Sequence, residues 1–126
     1  MRVYIAGPMT GYKWYNFPAF DKAELEIKAA GHTPINPAAL DMARGVDPYD
    51  LPIDHDWDTQ PPGFDLHECI LIDVEHVLIA DEMVLLPGWE QSTGAPAERA
   101  VASWARKRVS TLAEWLEAHS KEDTTE

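Results

Sequence analysis

The chain has 126 residues, 45% of them hydrophobic, which is enough to close one core and too little for two ordinary domains. Its 22 acidic residues against 10 Lys and Arg give a net charge of −12, and the 13 acids between Arg44 and Arg99 are interrupted by no cation, which argues against the clustered positive surface that binds a nucleic-acid polymer. No long apolar run or signal-peptide layout is present and the single cysteine, Cys69, excludes an internal disulfide; the expectation is one soluble, cytoplasmic domain over residues 1–120 with a frayed tail at 121–126 and no membrane partner.

Residues 3–6, Val-Tyr-Ile-Ala, predict a short buried strand that ends at Gly7 and Pro8. After a loop at 9–15, Asn16 is placed to cap a helix with Pro18 in its first turn, with Phe20, Ala23, Ile27 and Ala30 at helical spacing and Gly31 as its stop. Residues 33–36 predict a second strand, which Pro34 assigns to an edge or a strand start. Residues 37–63, rich in Pro, Asp and Trp and poor in periodicity, are expected to form an ordered lid-like loop.

A helix is expected from about Asp65 to near Asp81, through Leu66, Cys69, Ile70, Val74 and Val77. Residues 83–86 form a continuous apolar run, the pattern of a strand buried on both faces. A helix over 94–106 follows, then a brief fourth strand at Val109, and the Thr111/Glu114 capping box opens a last helix to about His119. Strands alternating with helices predict an α/β three-layer sandwich with a small, mostly parallel, Rossmann-like sheet. Ligands of such sheets bind beyond the carboxyl ends of the strands, which brings residues 7–15 and 87–98 to one rim.

Three residues stand out for chemistry. Glu98 falls in the second turn of the helix that follows the small-residue loop, where a capping box does not account for it because Pro96 takes the box position; it is either a surface acid near a helix start or a site carboxylate. Asp73 is the only charge on a helix side shared with Leu66, Cys69, Ile70 and Val77, so it is either buried for use or turned to water beside Glu68 and Glu75. Tyr4 lies inside the first strand, where a core role competes with a functional one.

Binding candidates lie in the rim loops. Gly7 and Gly11 allow backbone to approach a ligand and Thr10 adds a hydroxyl between them, although the loop is neither a Walker loop nor a dinucleotide fingerprint. Ser92, Thr93 and Gly94 can hold a phosphate at a helix start, or Ser92 and Thr93 can simply cap it. Trp57 and Trp89 can stack on a ring or pack locally. His67, Cys69 and His76 match no zinc spacing, so no metal and no cofactor are expected.

Four motifs, VYIAGPMTG, NFPAF, the Asp73/Asp81 pair and LLPGWEQSTGAPAE, together resemble the nucleoside 2-deoxyribosyltransferase family and its nucleotide N-hydrolase relatives. The resemblance runs from residue 3 to about 102 and leaves 37–63 unmatched. It implies attack on an N-glycosidic bond, with Glu98 as nucleophile, Tyr4 orienting it and Asp73 protonating the leaving base. Ser92 and Gly94 match phosphate-holding positions, and Asp81 and Trp89 join the substrate-binding set. Pro8 and Thr10 stand where the hydrolases carry Ser and Arg, and Ala100 stands where the family often has Gly, so phosphate contacts fall to Ser92, Gly94, Thr10 and Lys13. The implied partners are a small nucleoside or nucleotide and a second copy of the chain. The chemistry requires one ionised carboxylate, expected of Glu98, and one proton donor, expected of Asp73.

Overall fold

The structure is a computed structural model that describes residues 1–123. Four parallel strands, β1 (Arg2–Ala6), β2 (Thr33–Ile35), β3 (Glu82–Leu85) and β4 (Arg108–Thr111), form one sheet in the order β2-β1-β3-β4. The helices are α1 (Phe17–Ala29), α2 (Pro37–Ala43), α3 (Leu66–Ile79), α4 (Gly94–Trp104) and α5 (Leu112–Asp123).

The pleat of β1 and β3 sends alternate side chains to two different cores. Val3, Ile5, Val84 and Leu86 pack with Phe17, Phe20, Ala23, Ile27 and Trp115, which places α1 and α5 on one face. Tyr4, Ala6, Met83 and Leu85 pack with Val77, Ala80, Ala95 and Ala102, which places α3 and α4 on the other. The architecture is the expected α/β three-layer sandwich, with a sheet that is wholly parallel.

The strand order reverses between β1 and β3, and in an open parallel sheet the crevice beyond the carboxyl ends of such strands is the place where a ligand fits. The loops after β1 and β3 meet there. Leu86 N donates to Ala6 O across 2.8 Å. Gly88 has φ +86°, and a Cβ at that position would lie 2.6 Å from the Tyr12 hydroxyl, so both backbone conformation and close approach require glycine.

Several local expectations are corrected. Asn16 does not cap α1: it lies in the left-handed region at φ 62°, makes no cap hydrogen bond, and donates from Nδ2 to Pro8 O at 2.9 Å. It ends a 3-10 turn, Lys13–Asn16, in which Trp14 and Tyr15 are also left-handed. Residues 37–63 are not all loop, because α2 starts at once with Asn36 Oδ1 accepting from Ala38 N at 2.9 Å and Pro37 in its first turn. The rest of that stretch is pinned by Tyr15, whose hydroxyl donates to Thr59 O at 2.5 Å and contacts His55 Nε2 at 2.8 Å. The last helix continues to Asp123 rather than stopping near His119, and of the expected frayed tail, residues 124–126 lie outside the described residues. Among the described residues no helix is long and apolar enough to cross a membrane.

Candidate active site

The Tyr4 side chain leaves the middle of β1 toward α3 and α4 and is fully buried. Its hydroxyl donates a hydrogen bond to Glu98 Oε2. Glu98 reaches this position because α4 begins at Gly94: Ser92 Oγ accepts from Ala95 N at 3.0 Å and donates to Trp89 O at 3.2 Å, which fixes the first turn and points the next turn at the sheet. The cap is therefore Ser92, while Thr93 makes no cap hydrogen bond. Asp73 approaches the same pair from α3, one turn beyond the buried Cys69 and one turn before the buried Val77.

Burial decides the electrostatics. Loss of water pushes the Glu98 carboxyl up to about 8, outweighing the downward pull of the Tyr4 hydroxyl, and nearby Asp73 and Asp41 add to the rise. Burial likewise pushes Asp73 up to about 7, with Asp41 adding to the rise and Arg44 and His76 opposing it. Tyr4 is driven well above its ordinary value by burial, then by Glu98 and Asp73, and so remains a hydroxyl donor.

The expectation that Glu98 is held ionised while only Asp73 keeps a proton is thus corrected for the ligand-free protein. Burial raises both carboxyls toward neutrality, so the pair holds on to protons more strongly than free carboxylates do. One hydroxyl donor does not replace the water that a buried carboxylate loses, and Glu98 sits beyond the first helical turn, where the dipole effect has faded. A positively charged ligand group between the carboxyls would favour their ionised forms.

Two groups not singled out from sequence join the cluster, Asp41 in α2 and Arg44 at its C-terminal cap. The Asp41 carboxyl is pushed up to about 6 by burial against the opposing pull of Arg44. Arg44 lies 3.8 Å from Asp41 Oδ1 and 3.2 Å from Glu68 Oε1, and its Nη1 donates to Cys69 Sγ at 3.2 Å. The cue was available in Asn36-Pro37, a cap followed by a first-turn proline, with Asp41 and Arg44 three apart on the helix that it starts.

The remaining candidates divide. Gly11, at φ +89°, donates from N to Trp57 O at 2.7 Å, and Thr10 is exposed beside it on the same rim. Gly7 is required by packing, since a Cβ there would meet Leu86 Cβ at 2.8 Å. Gly94 is open at the start of α4, and the Trp89 ring lies under the Arg99 guanidinium at 5.4 Å. Trp57 packs against Tyr15 and His55, with centroids 5.1 and 4.8 Å away. Asp81 is not brought to the site. It precedes β3 at the amino edge of the sheet, where it accepts from Arg2 N at 2.7 Å, a bond that with the Arg2 charge holds its carboxyl below the usual range.

Of the Leu66, Cys69, Ile70 and Val77 stripe expected to flank Asp73, only Cys69 and Val77 are buried, and Leu66 and Ile70 face outward. The buried side of α3 is narrower than its apolar composition suggests. Among the described residues no cluster of three or more His, Cys, Asp or Glu is arranged to hold a metal ion.

A family profile described as a domain of unknown function, DUF4406, matches residues 1–111. The chain belongs to that family. Its fold is shared by a 2-deoxyribosyltransferase from the psychrotolerant bacterium Bacillus psychrosaccharolyticus, with a TM-score of 0.57 at 19% identity over 86% of the DUF4406 chain and 69% of the other. No curated protein matches the DUF4406 chain.

Proposed function

We propose that the protein cleaves the N-glycosidic bond of a nucleoside or deoxynucleoside 5′-monophosphate through a covalent ribosyl–Glu98 intermediate, with water as acceptor. The observation that carries this reading is the convergence of Tyr4, Glu98 and Asp73, from three separate elements, on one desolvated spot beside the switch-point crevice. The reactive form is the one in which the single proton of the pair sits on Asp73; in the first step the ionised Glu98 carboxylate then bonds to the anomeric carbon and the carbon–nitrogen bond breaks. Its electron pair leaves with the base, which takes the proton of Asp73. In the second, water attacks the same carbon, gives its proton to the Asp73 carboxylate, and frees Glu98. The Tyr4 hydroxyl holds Glu98 in line for both steps. Ser92, Thr93, Gly94, Thr10 and Gly11 line the rim where a phosphate would be received, and Trp89 lies beside it.

A second reading, exchange of one base for another, is favoured by the shared fold with an enzyme named as a 2-deoxyribosyltransferase. A panel of nucleosides and nucleoside monophosphates, followed for free base with and without a second base, separates the two. Release in water alone supports the hydrolase, turnover only with a second base supports the transferase, and saturable binding with no turnover would leave a nucleotide-sensing module.

We further propose that two or more copies associate. Large apolar side chains are exposed on both helices of one face, Leu71 on α3 at 72% and Trp104 on α4 at 86%, and a second copy would cover such side chains. Light scattering coupled to size exclusion reads the mass directly.

A further inference from the structure

The cluster contains more charge than the proposed reaction uses. Glu98, Asp73 and Asp41 are three desolvated carboxyls from α4, α3 and α2, and Arg44 is the cation that bears on both aspartates. The guanidinium reaches across to α3: Nη1 and Nη2 meet Cys69 and Glu68, and Nε is buried with no hydrogen-bond partner among the described residues. Cys69 lies one turn before Asp73, so the anchor sits on the helix that carries the proposed acid. Arg44 thus meets three partners, Asp41 beside it and Glu68 and Cys69 on α3.

We infer that Asp41 and Arg44 are positioning residues of the reaction centre: Arg44 ties α2 to α3 and thereby holds a negative and a positive charge beside Asp73 and the Tyr4–Glu98 pair. This rests on the reading of the site as a glycosidic-bond-cleaving centre. Asp41 makes ionisation of Asp73, Glu98 and Tyr4 harder, and Arg44 makes ionisation of Asp73 easier. The pair thus sets the pH range in which one proton is shared by Asp73 and Glu98, the state that the chemistry needs. Asp41 in α2, Arg44 at its end and His76 on the same helix act on Asp73, and Asp73 in turn makes ionisation of Tyr4 on β1, Cys69 on its own helix and Glu98 on α4 harder. A mere staple between α2 and α3 would have no such directional effect.

The test is a carbon-13 NMR titration of the side-chain carboxyls in wild-type protein, Asp41→Asn, Arg44→Met and Arg44→Lys, with the Asp73 signal assigned from Asp73→Asn. Asp41→Asn should lower the titration of Asp73 by on the order of one pH unit, and Arg44→Met should raise it by a similar amount. Arg44→Lys should restore most of the wild-type value. The pH profile of base release should move in the same directions. Asp73 titrating as in the wild type in Asp41→Asn, or moving the same way in Asp41→Asn and Arg44→Met, would overturn the inference. Should Arg44→Met fail to fold, Asp41→Asn still decides it. The titration needs no substrate, so absence of base release would count against the proposed function alone.

Discussion

The Tyr4 hydroxyl, at the centre of β1, donates to Glu98 Oε2, which stands 94 residues later in the second turn of α4. The bond crosses from the sheet to a helix and gives a desolvated carboxyl its one strong donor. Tyr4→Phe keeps the ring packing and removes only that donor. Glu98 then becomes still harder to ionise, because the hydroxyl is what pulls it down. The expected result is a pH profile of base release displaced to higher pH, with a stability loss of about 1–3 kcal/mol in urea unfolding for the buried carboxyl left without its partner.

A bell-shaped pH dependence follows from the two site carboxyls. With Asp73 raised to about 7 and Glu98 to about 8, the form that holds one proton between them is most abundant between those values, and base release should peak there. The two limbs belong to the pair. Asp73→Asn removes the proton source and should slow release by roughly 10²–10⁴-fold, most for the bases that leave poorly as anions. Rates measured across pH for the wild type and this variant check both statements.

Stability should fall as the solution becomes more alkaline. Glu98, Asp73 and Asp41 have folded values of about 8, 7 and 6, all above those of an unfolded chain, so the folded state binds more protons between about pH 4 and pH 8. Stability from these groups is therefore full below about pH 4 and declines as pH rises through the folded values. Asp81 and Glu114, whose carboxyls are lowered first by backbone amide bonds from Arg2 and Thr111, act the other way and lose their contribution at acid pH. The melting temperature should be highest near pH 5 and fall by at least about 5 °C by pH 8.5. Glu98→Gln should flatten much of the decline, which calorimetry across pH would show.

Gly88 joins the two rim loops at φ +86° with Tyr12 packed over its Cα. Gly88→Ala combines a left-handed backbone penalty with a steric clash, and should cost about 1–2 kcal/mol or displace the loop that leads into α4. Urea unfolding reads the cost. A changed KM for base release would report the displaced rim.

The fold was legible where one residue pattern admits one structure. The apolar run at Met83, Val84 and Leu85 and the spacing of Phe20, Ala23 and Ile27 place their elements within a residue or two, and the Thr111/Glu114 box places the start of its helix. What misled was competition between local cues. Asn16 has the chemistry of a cap, yet three successive left-handed residues turn its amide back to Pro8. The helix at Pro37–Ala43 is only seven residues long, too short for periodicity to show against the prolines that follow. Hidden with that helix were Asp41 and Arg44, whose importance depends on a contact with Cys69 across the fold. Glu98, Asp73 and Tyr4 were legible as candidates, but the rise of both carboxyls was not, since that depends on how much water each loses in the folded chain.

The claim that Glu98 bonds to a sugar carbon is tested most directly by trapping. Protein mixed with a deoxynucleoside monophosphate that it turns over, quenched in acid and digested, should yield one peptide containing Glu98 whose mass is increased by the sugar phosphate, and Glu98→Gln should yield none while losing at least about a thousandfold in base release. An adduct on another residue, or base release by Glu98→Gln at the wild-type rate, would contradict the account.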